Sequence, residues 1–254
     1  MEIVAVHVGD GIEESLFERL LGTVPEPKRS RIARFRKRDD AVRSLAGELL
    51  VRTWAAERLG LGSGKLRYAF NEYGKPAWAD EEGRPLAGAH FNLTHSGEWV
   101  AAAFDDGPVG IDVERVEAVP PDIAGRILSP EEAEEWERAP EEERQERLCR
   151  IWTLKESYVK AIGRGLSEPL RSFAVLPSGR GADYVVRPAG DGAGSRGGAG
   201  GGGGGGGGGE DGEWYCKSYE ISPSYRLSVC SPRRDRFPAD IVRRELATVT
   251  RLLP

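Results

Sequence analysis

Two carboxylates two residues apart, Asp112 and Glu114, sit in the strand-like run Val109-Gly110-Ile111-Asp112-Val113-Glu114. Side chains alternate along a strand, so both project from one face while Ile111 and Val113 enter a core on the other. About forty residues on, Trp152-Thr153-Leu154-Lys155-Glu156-Ser157-Tyr158-Val159-Lys160 has helical spacing. It predicts Trp152, Lys155, Glu156 and Lys160 on or near one side and Leu154, Tyr158, Ala161 and Ile162 as the anchoring stripe. Three carboxylates with two ammonium groups make the chemistry of a metal-dependent phosphate site. The bland alternative is an exposed strand pair and a surface i,i+4 ion pair.

The elements that must position these groups are legible in part. Residues 2–8 alternate as a strand. A basic helix near 25–38 and an amphipathic helix near 40–60 follow, the latter with Leu45, Leu49, Leu50 and Trp54 inward. The apolar run Trp99–Phe104 suits a buried strand, and Asp105-Asp106-Gly107-Pro108 reads as the turn of a hairpin to the Asp112 strand. Ser129-Pro130-Glu131-Glu132 is a helix start with a hydroxyl cap, a first-turn proline and acids facing the dipole. Laying residues 44–52 over 152–160 matches Glu48 to Glu156, Val51 to Val159 and Arg52 to Lys160, a hint of two similar halves. From Gly200 to Gly209 the chain is unbroken glycine, expected as a floppy excursion between two strands.

The chain of 254 residues, 39% hydrophobic, is long enough to bury a sizeable core. A formal charge of −5 weighs against general nucleic-acid binding. No apolar run approaches a membrane span and the N-terminus lacks a signal-peptide plan, so no membrane association and a cytoplasmic location are expected. Cys149, Cys216 and Cys230 lack metal or CxxC spacing and read as buried thiols. The basic residues Lys28, Arg29, Arg31, Arg34, Arg36, Lys37, Arg38 and Arg43 crowd one region. Most read as a solvated face, with a subset able to grip a polyanionic small molecule.

Four motifs, Gly74-Lys75-Pro76, Phe91-Asn92-Leu93-Thr94-His95-Ser96, Gly110-Ile111-Asp112-Val113-Glu114 and Trp152-Thr153-Leu154-Lys155-Glu156-Ser157 with Lys160 and Gly163, together resemble the surfactin-type (Sfp-like) 4′-phosphopantetheinyl transferases. The sequence departs from that pattern in having Thr94 where serine is usual, extra residues within 81–89, and the glycine tract. The resemblance implies an α+β fold of two pseudo-symmetric α/β subdomains with the active site between them. The halves are expected at 1–106 and 107–254, the second with a Gly-rich insertion at 188–212. It implies Mg²⁺-dependent transfer of the 4′-phosphopantetheine of coenzyme A to a serine of an apo acyl or peptidyl carrier protein, releasing adenosine 3′,5′-bisphosphate. Pathways of nonribosomal peptide or polyketide synthesis, and a monomer, go with that class.

By the same resemblance Asp112, Glu114 and Glu156 are the metal ligands, and Glu156 is also the base for the serine proton. Lys155 and Lys160 attend the phosphates. Lys28, Arg31, Ser44, Lys75, Thr94 and His95 line the 3′-phosphate and adenine end. Trp152 either packs under the ligands or fills the core. Residues 116–128, with Ile123, Ile127 and Leu128, either dock the carrier or form a helix packed on its own core. Competing readings of the same carboxylates are a metal-dependent pyrophosphohydrolase of coenzyme A or a nucleotide, and a non-catalytic carrier-binding relative.

Overall fold

The computed structural model describes residues 1–9, 11–61, 66–180, 182–190 and 212–246. The chain divides into two compact units, Met1–Asp106 with Pro238–Pro254, and Gly107–Phe237. The residues from Pro238 rejoin the first unit instead of completing a second half to residue 254, because a strand after Pro238 pairs in parallel with the first strand of the chain.

The first unit opens with β1 (Glu2–His7), then α1 (Glu14–Gly22), α2 (Lys28–Ala33) and the 22-residue α3 (Arg38–Leu59). The short hairpin β2 (Arg67–Phe70) and β3 (Pro76–Ala79) follows, and then the hairpin β4 (His90–Ser96) and β5 (Trp99–Asp105). The second unit repeats this order. It has β6 (Gly110–Arg115), α4 (Ala124–Ile127), α5 (Pro130–Arg138) and the 22-residue α6 (Glu141–Ile162). Two hairpins complete it, β7 (Phe173–Arg180) with β8 (Ala182–Pro188), and β9 (Tyr215–Ser222) with β10 (Tyr225–Ser231). The last strand, β11 (Val242–Glu245), belongs to the first unit. Its sheet runs β11-β1-β5-β4, and the sheet of the second unit runs β6-β10-β9-β8-β7.

The Asp112 strand does not form a hairpin with Trp99–Phe104: β5 pairs with β1 and β4, while β6 pairs with β10. The Asp105–Pro108 turn is the passage from one unit to the next. Apolar residues on both strands satisfied the local pattern equally, and only the later β10 supplies β6 with its partner. Helix α1 and the β2–β3 hairpin were not read from the sequence, and the basic helix is confined to α2.

Each long helix packs on its own sheet. In the first unit Leu45, Leu49 and Leu50 of α3 join Val4, Val6, Phe91, Val100 and Phe104 in one core, with the rings of Trp54 and Phe104 stacked at 4.3 Å. In the second, Leu154, Val159 and Ala161 of α6 meet Phe173, Val175, Cys216 and Cys230. Burying these faces supplies the main stabilisation, about 1.5–3 kcal/mol for each large apolar side chain. Among the described residues no helix is long and apolar enough to cross a membrane. All three cysteines are buried thiols outside any disulfide, and burial foremost pushes the Cys149 thiol up to about 12. The glycine run Gly200–Gly209 lies outside the described residues.

Candidate active site

Glycine 110 determines how closely α6 approaches β6. A Cβ there would stand 2.0 Å from the Ser157 carbonyl oxygen and 2.4 Å from the Ala161 nitrogen, so only glycine permits this backbone-to-backbone contact. Strand alternation then turns Asp112 and Glu114 to the same face as Gly110, the face that α6 covers. Two further ties fix the helix. The Thr153 and Ser228 hydroxyls are 2.8 Å apart, and Ser228 is the residue paired with Asp112 across the strands. The helix ends on Gly163 in the left-handed region, φ 73°, one turn after Lys160.

Asp112 is 3% exposed, which removes the surface-strand reading. Its Oδ1 accepts a 2.6 Å hydrogen bond from the Lys160 ammonium. Glu156, one helical turn before Lys160, has its pKa raised by burial first and by the Asp112 charge second, with Lys160 opposing. Two carboxylates and one ammonium therefore share a poorly solvated pocket of α6 and β6. Excess negative charge of this kind is what a divalent cation or a proton relieves.

The donor set suits a hard cation: Mg²⁺ takes one or two carboxylates and completes its shell with phosphate and water oxygens. Among the described residues no group of three or more His, Cys, Asp or Glu side chains stands together as a metal site. The expected trio is thus assembled as a pair, Asp112 and Glu156, with Glu114 next on the same strand face.

Lys155 is corrected. It is fully buried, and its ammonium donates to Leu170 O and Phe173 O at 2.6 Å each and pairs with Glu132 at 2.7 Å. One residue of helix is a rotation of about 100°, so Lys155 and Lys160 point about 140° apart. Lys155 clamps α6 to α5 and β7, and it does not face the Asp112 pocket. Glu132 completes the clamp. Its Oε2 accepts from Ser129 N at 2.8 Å in a capping box, and its Oε1 from Val175 N at 2.8 Å. The Ser129 start was legible, but nothing local marked Glu132 as the partner of Lys155.

Trp152 packs on the cluster of Val119, Ala124, Ile127, Leu128, Leu148 and Cys149, the core role. Ile127 and Leu128 are buried in that cluster and Ile123 is partly buried against it. The helix-on-its-own-core reading of residues 116–128 therefore holds for these side chains.

In the first unit Lys28 of α2 lies 3.9 Å from Glu48 of α3. Burial lowers its pKa, Glu48 raises it, and Arg31 and Arg52 lower it. Ser44 is half-buried on α3, and Lys75 lies in the β2–β3 turn, shaped by Asn71 Oδ1, which accepts from Tyr73 N at 3.0 Å and Lys75 N at 2.8 Å. On β4, Thr94 points inward and His95 is exposed. Glu48 and Arg52, matched in sequence only as a repeat, are buried charges beside Lys28.

Two family models cover most of the chain: one described as 4′-phosphopantetheinyl transferase superfamily matches residues 108–196, and one described as 4′-phosphopantetheinyl transferase, N-terminal, matches residues 13–106. The 4′-phosphopantetheinyl transferase ffp of Bacillus subtilis is 33% identical over 241 residues, covering 95% of this chain and 96% of the relative. The 4′-phosphopantetheinyl transferase Sfp of Bacillus subtilis (strain 168) is 32% identical over 241 residues, with the same coverage of 95% and 96%. The 4′-phosphopantetheinyl transferase psf-1 of Bacillus pumilus is 31% identical over 258 residues, covering 100% of this chain and 97% of the relative. The chain belongs to the 4′-phosphopantetheinyl transferase superfamily and is an enzyme of the phosphopantetheinyl transferase type.

Proposed function

We propose that the protein transfers the 4′-phosphopantetheine of coenzyme A to a serine hydroxyl of an apo acyl or peptidyl carrier protein, with Mg²⁺, as a cytoplasmic monomer. The observation that carries the reading is the Asp112–Lys160–Glu156 group, a buried aspartate and a half-buried glutamate with an ammonium on the aspartate. Asp112 and Glu156, with Glu114 beside them, would hold the ion. When bound, it supplies charge neutralisation and orientation of the pyrophosphate.

The serine oxygen forms a bond to the phosphorus that bears pantetheine. The bond from that phosphorus to the bridging oxygen breaks, and adenosine 3′,5′-bisphosphate leaves with the electron pair. Glu156, its pKa raised, takes the serine proton directly or through one water. Lys160 neutralises charge on the phosphates, and its present bond to Asp112 keeps the ammonium at the pocket. In the first unit Lys28, Arg31, Ser44, Lys75, Thr94 and His95 grip the 3′-phosphate and adenine end of the donor.

The test is intact-mass spectrometry of an apo peptidyl carrier protein incubated with coenzyme A, Mg²⁺ and the enzyme. A gain of one phosphopantetheine that disappears with EDTA is expected. Consumption of coenzyme A with no gain on any carrier would make the protein a hydrolase instead.

A further inference from the structure

A carboxylate nearly closed to solvent under a phosphate-binding surface needs a reason. Glu48 and Arg52 are each 5% exposed, on adjacent turns of α3. Arg52 Nε donates to Glu48 Oε1 at 2.5 Å, and the Tyr68 hydroxyl donates to the same oxygen at 3.3 Å. Arg52 also stands 5.7 Å over the Tyr68 ring. With Oε1 so occupied, Oε2 faces Lys28, 3.9 Å from its ammonium. The Lys28 side chain is 32% exposed, so it is rooted at the carboxylate while still reaching solvent.

The charges count in the same direction. Arg31 and Arg52 both act on the Lys28 ammonium, and Glu48 is the carboxylate that acts on it. Three cations against one carboxylate leave two positive charges, the complement of a phosphomonoester dianion. Without Glu48, Lys28 would be partly desolvated beside two guanidiniums and would swing away from them.

We propose that Glu48, held by Arg52 and Tyr68, is a positioning residue that fixes the Lys28 ammonium for the donor's terminal phosphate and so sets the preference for a donor carrying a 3′-phosphate. This rests on the assignment of Lys28 to that phosphate. Steady-state kinetics with coenzyme A and with 3′-dephospho-coenzyme A, on a fixed apo carrier, test both statements. Glu48→Gln raises KM for coenzyme A about tenfold, the size of one charge-assisted contact, while kcat and the KM for the dephospho donor stay within about twofold. Lys28→Met gives the same split, and the double variant is no worse than Lys28→Met alone. Glu48→Asp retains part of the preference. Tyr68→Phe, which keeps the ion pair, shifts KM in the same direction by a smaller factor and provides the readout if Glu48→Gln does not fold. Equal loss with both donors, or additive losses in the double variant, would overturn the positioning role alone. An unchanged preference in Lys28→Met would overturn the Lys28 assignment and the inference with it.

Discussion

Helices α3 and α6 occupy the same place in two copies of one plan, yet only α6 carries an acidic pocket. Both are 22 residues long, both follow a strand and two shorter helices, and both precede two hairpins. Each has a glutamate with a cation four residues later, Glu48 with Arg52 and Glu156 with Lys160. In α3 the two pair with each other, and Lys28 of α2 faces the second oxygen of the glutamate. In α6 the cation turns to a strand carboxylate, Asp112, and Glu156 is left with a raised pKa.

The strands explain the difference. The fourth residue of β5, Ala102, pairs with Val4, and the fourth of β10, Ser228, pairs with Asp112. Two residues along, Val100 pairs with Val6, and Arg226 with Glu114. Valines at two positions of one unit stand where the other has carboxylates. One frame thus yields a unit whose glutamate is covered by cations, Arg52 and Lys28, and a unit with negative charge to spare. On the proposed function, that spare charge is where the metal and the serine proton would be handled.

That contrast can be broken most strongly at Asp112. Asp112→Ala makes the second unit resemble the first at the strand, and transfer should fall by about 10²-fold or more, with the Mg²⁺ dependence of the remaining rate weakened in a metal titration. Next comes the clamp that orients α6. Lys155→Met leaves Glu132 as a buried carboxylate without its ammonium, and urea unfolding should register a loss of about 3–5 kcal/mol. Gly110→Ala pushes a methyl into the α6 backbone; a loss of about 3 kcal/mol with reduced transfer is expected, whereas unchanged stability would mean the helix can lift freely. The smallest effect concerns Glu146. Burial raises its pKa, but hydrogen bonds from Arg226 and Arg150 outweigh that and the net shift is downward from 4.5. A depressed carboxylate contributes stability above its unfolded pKa and loses it as pH falls through the folded value. Glu146→Gln should therefore flatten the decline in stability below about pH 4.5 by less than about 1 kcal/mol, read from chemical denaturation at stepped pH.

Much of the site was legible because its information is local. Two acids on a strand, and a glutamate and lysine one turn apart on a helix, announce themselves by spacing alone, and Asp112, Glu156 and Lys160 do come together. Lys155 was misplaced because adjacency in sequence is not adjacency on a helix, and its partners Glu132, Leu170 and Phe173 come from three other segments. The β5–β6 hairpin failed for a similar reason: two apolar strands joined by a turn look paired until the register of a distant strand is known. The repeat was visible as a few matched residues, but its extent appears only in the order of the elements. The short β2 and β3, four residues each amid glycine and proline, carried too little pattern to be read.

The most direct test of the central claim, that the charge-bearing copy of the helix is the chemical one, is the intact-mass time course of an apo carrier with Glu156→Ala, alongside circular dichroism of the variant. The account predicts no phosphopantetheine on the carrier while the wild type loads it completely, with the variant's spectrum and melting intact. Loading at the wild-type rate by a folded Glu156→Ala would contradict it.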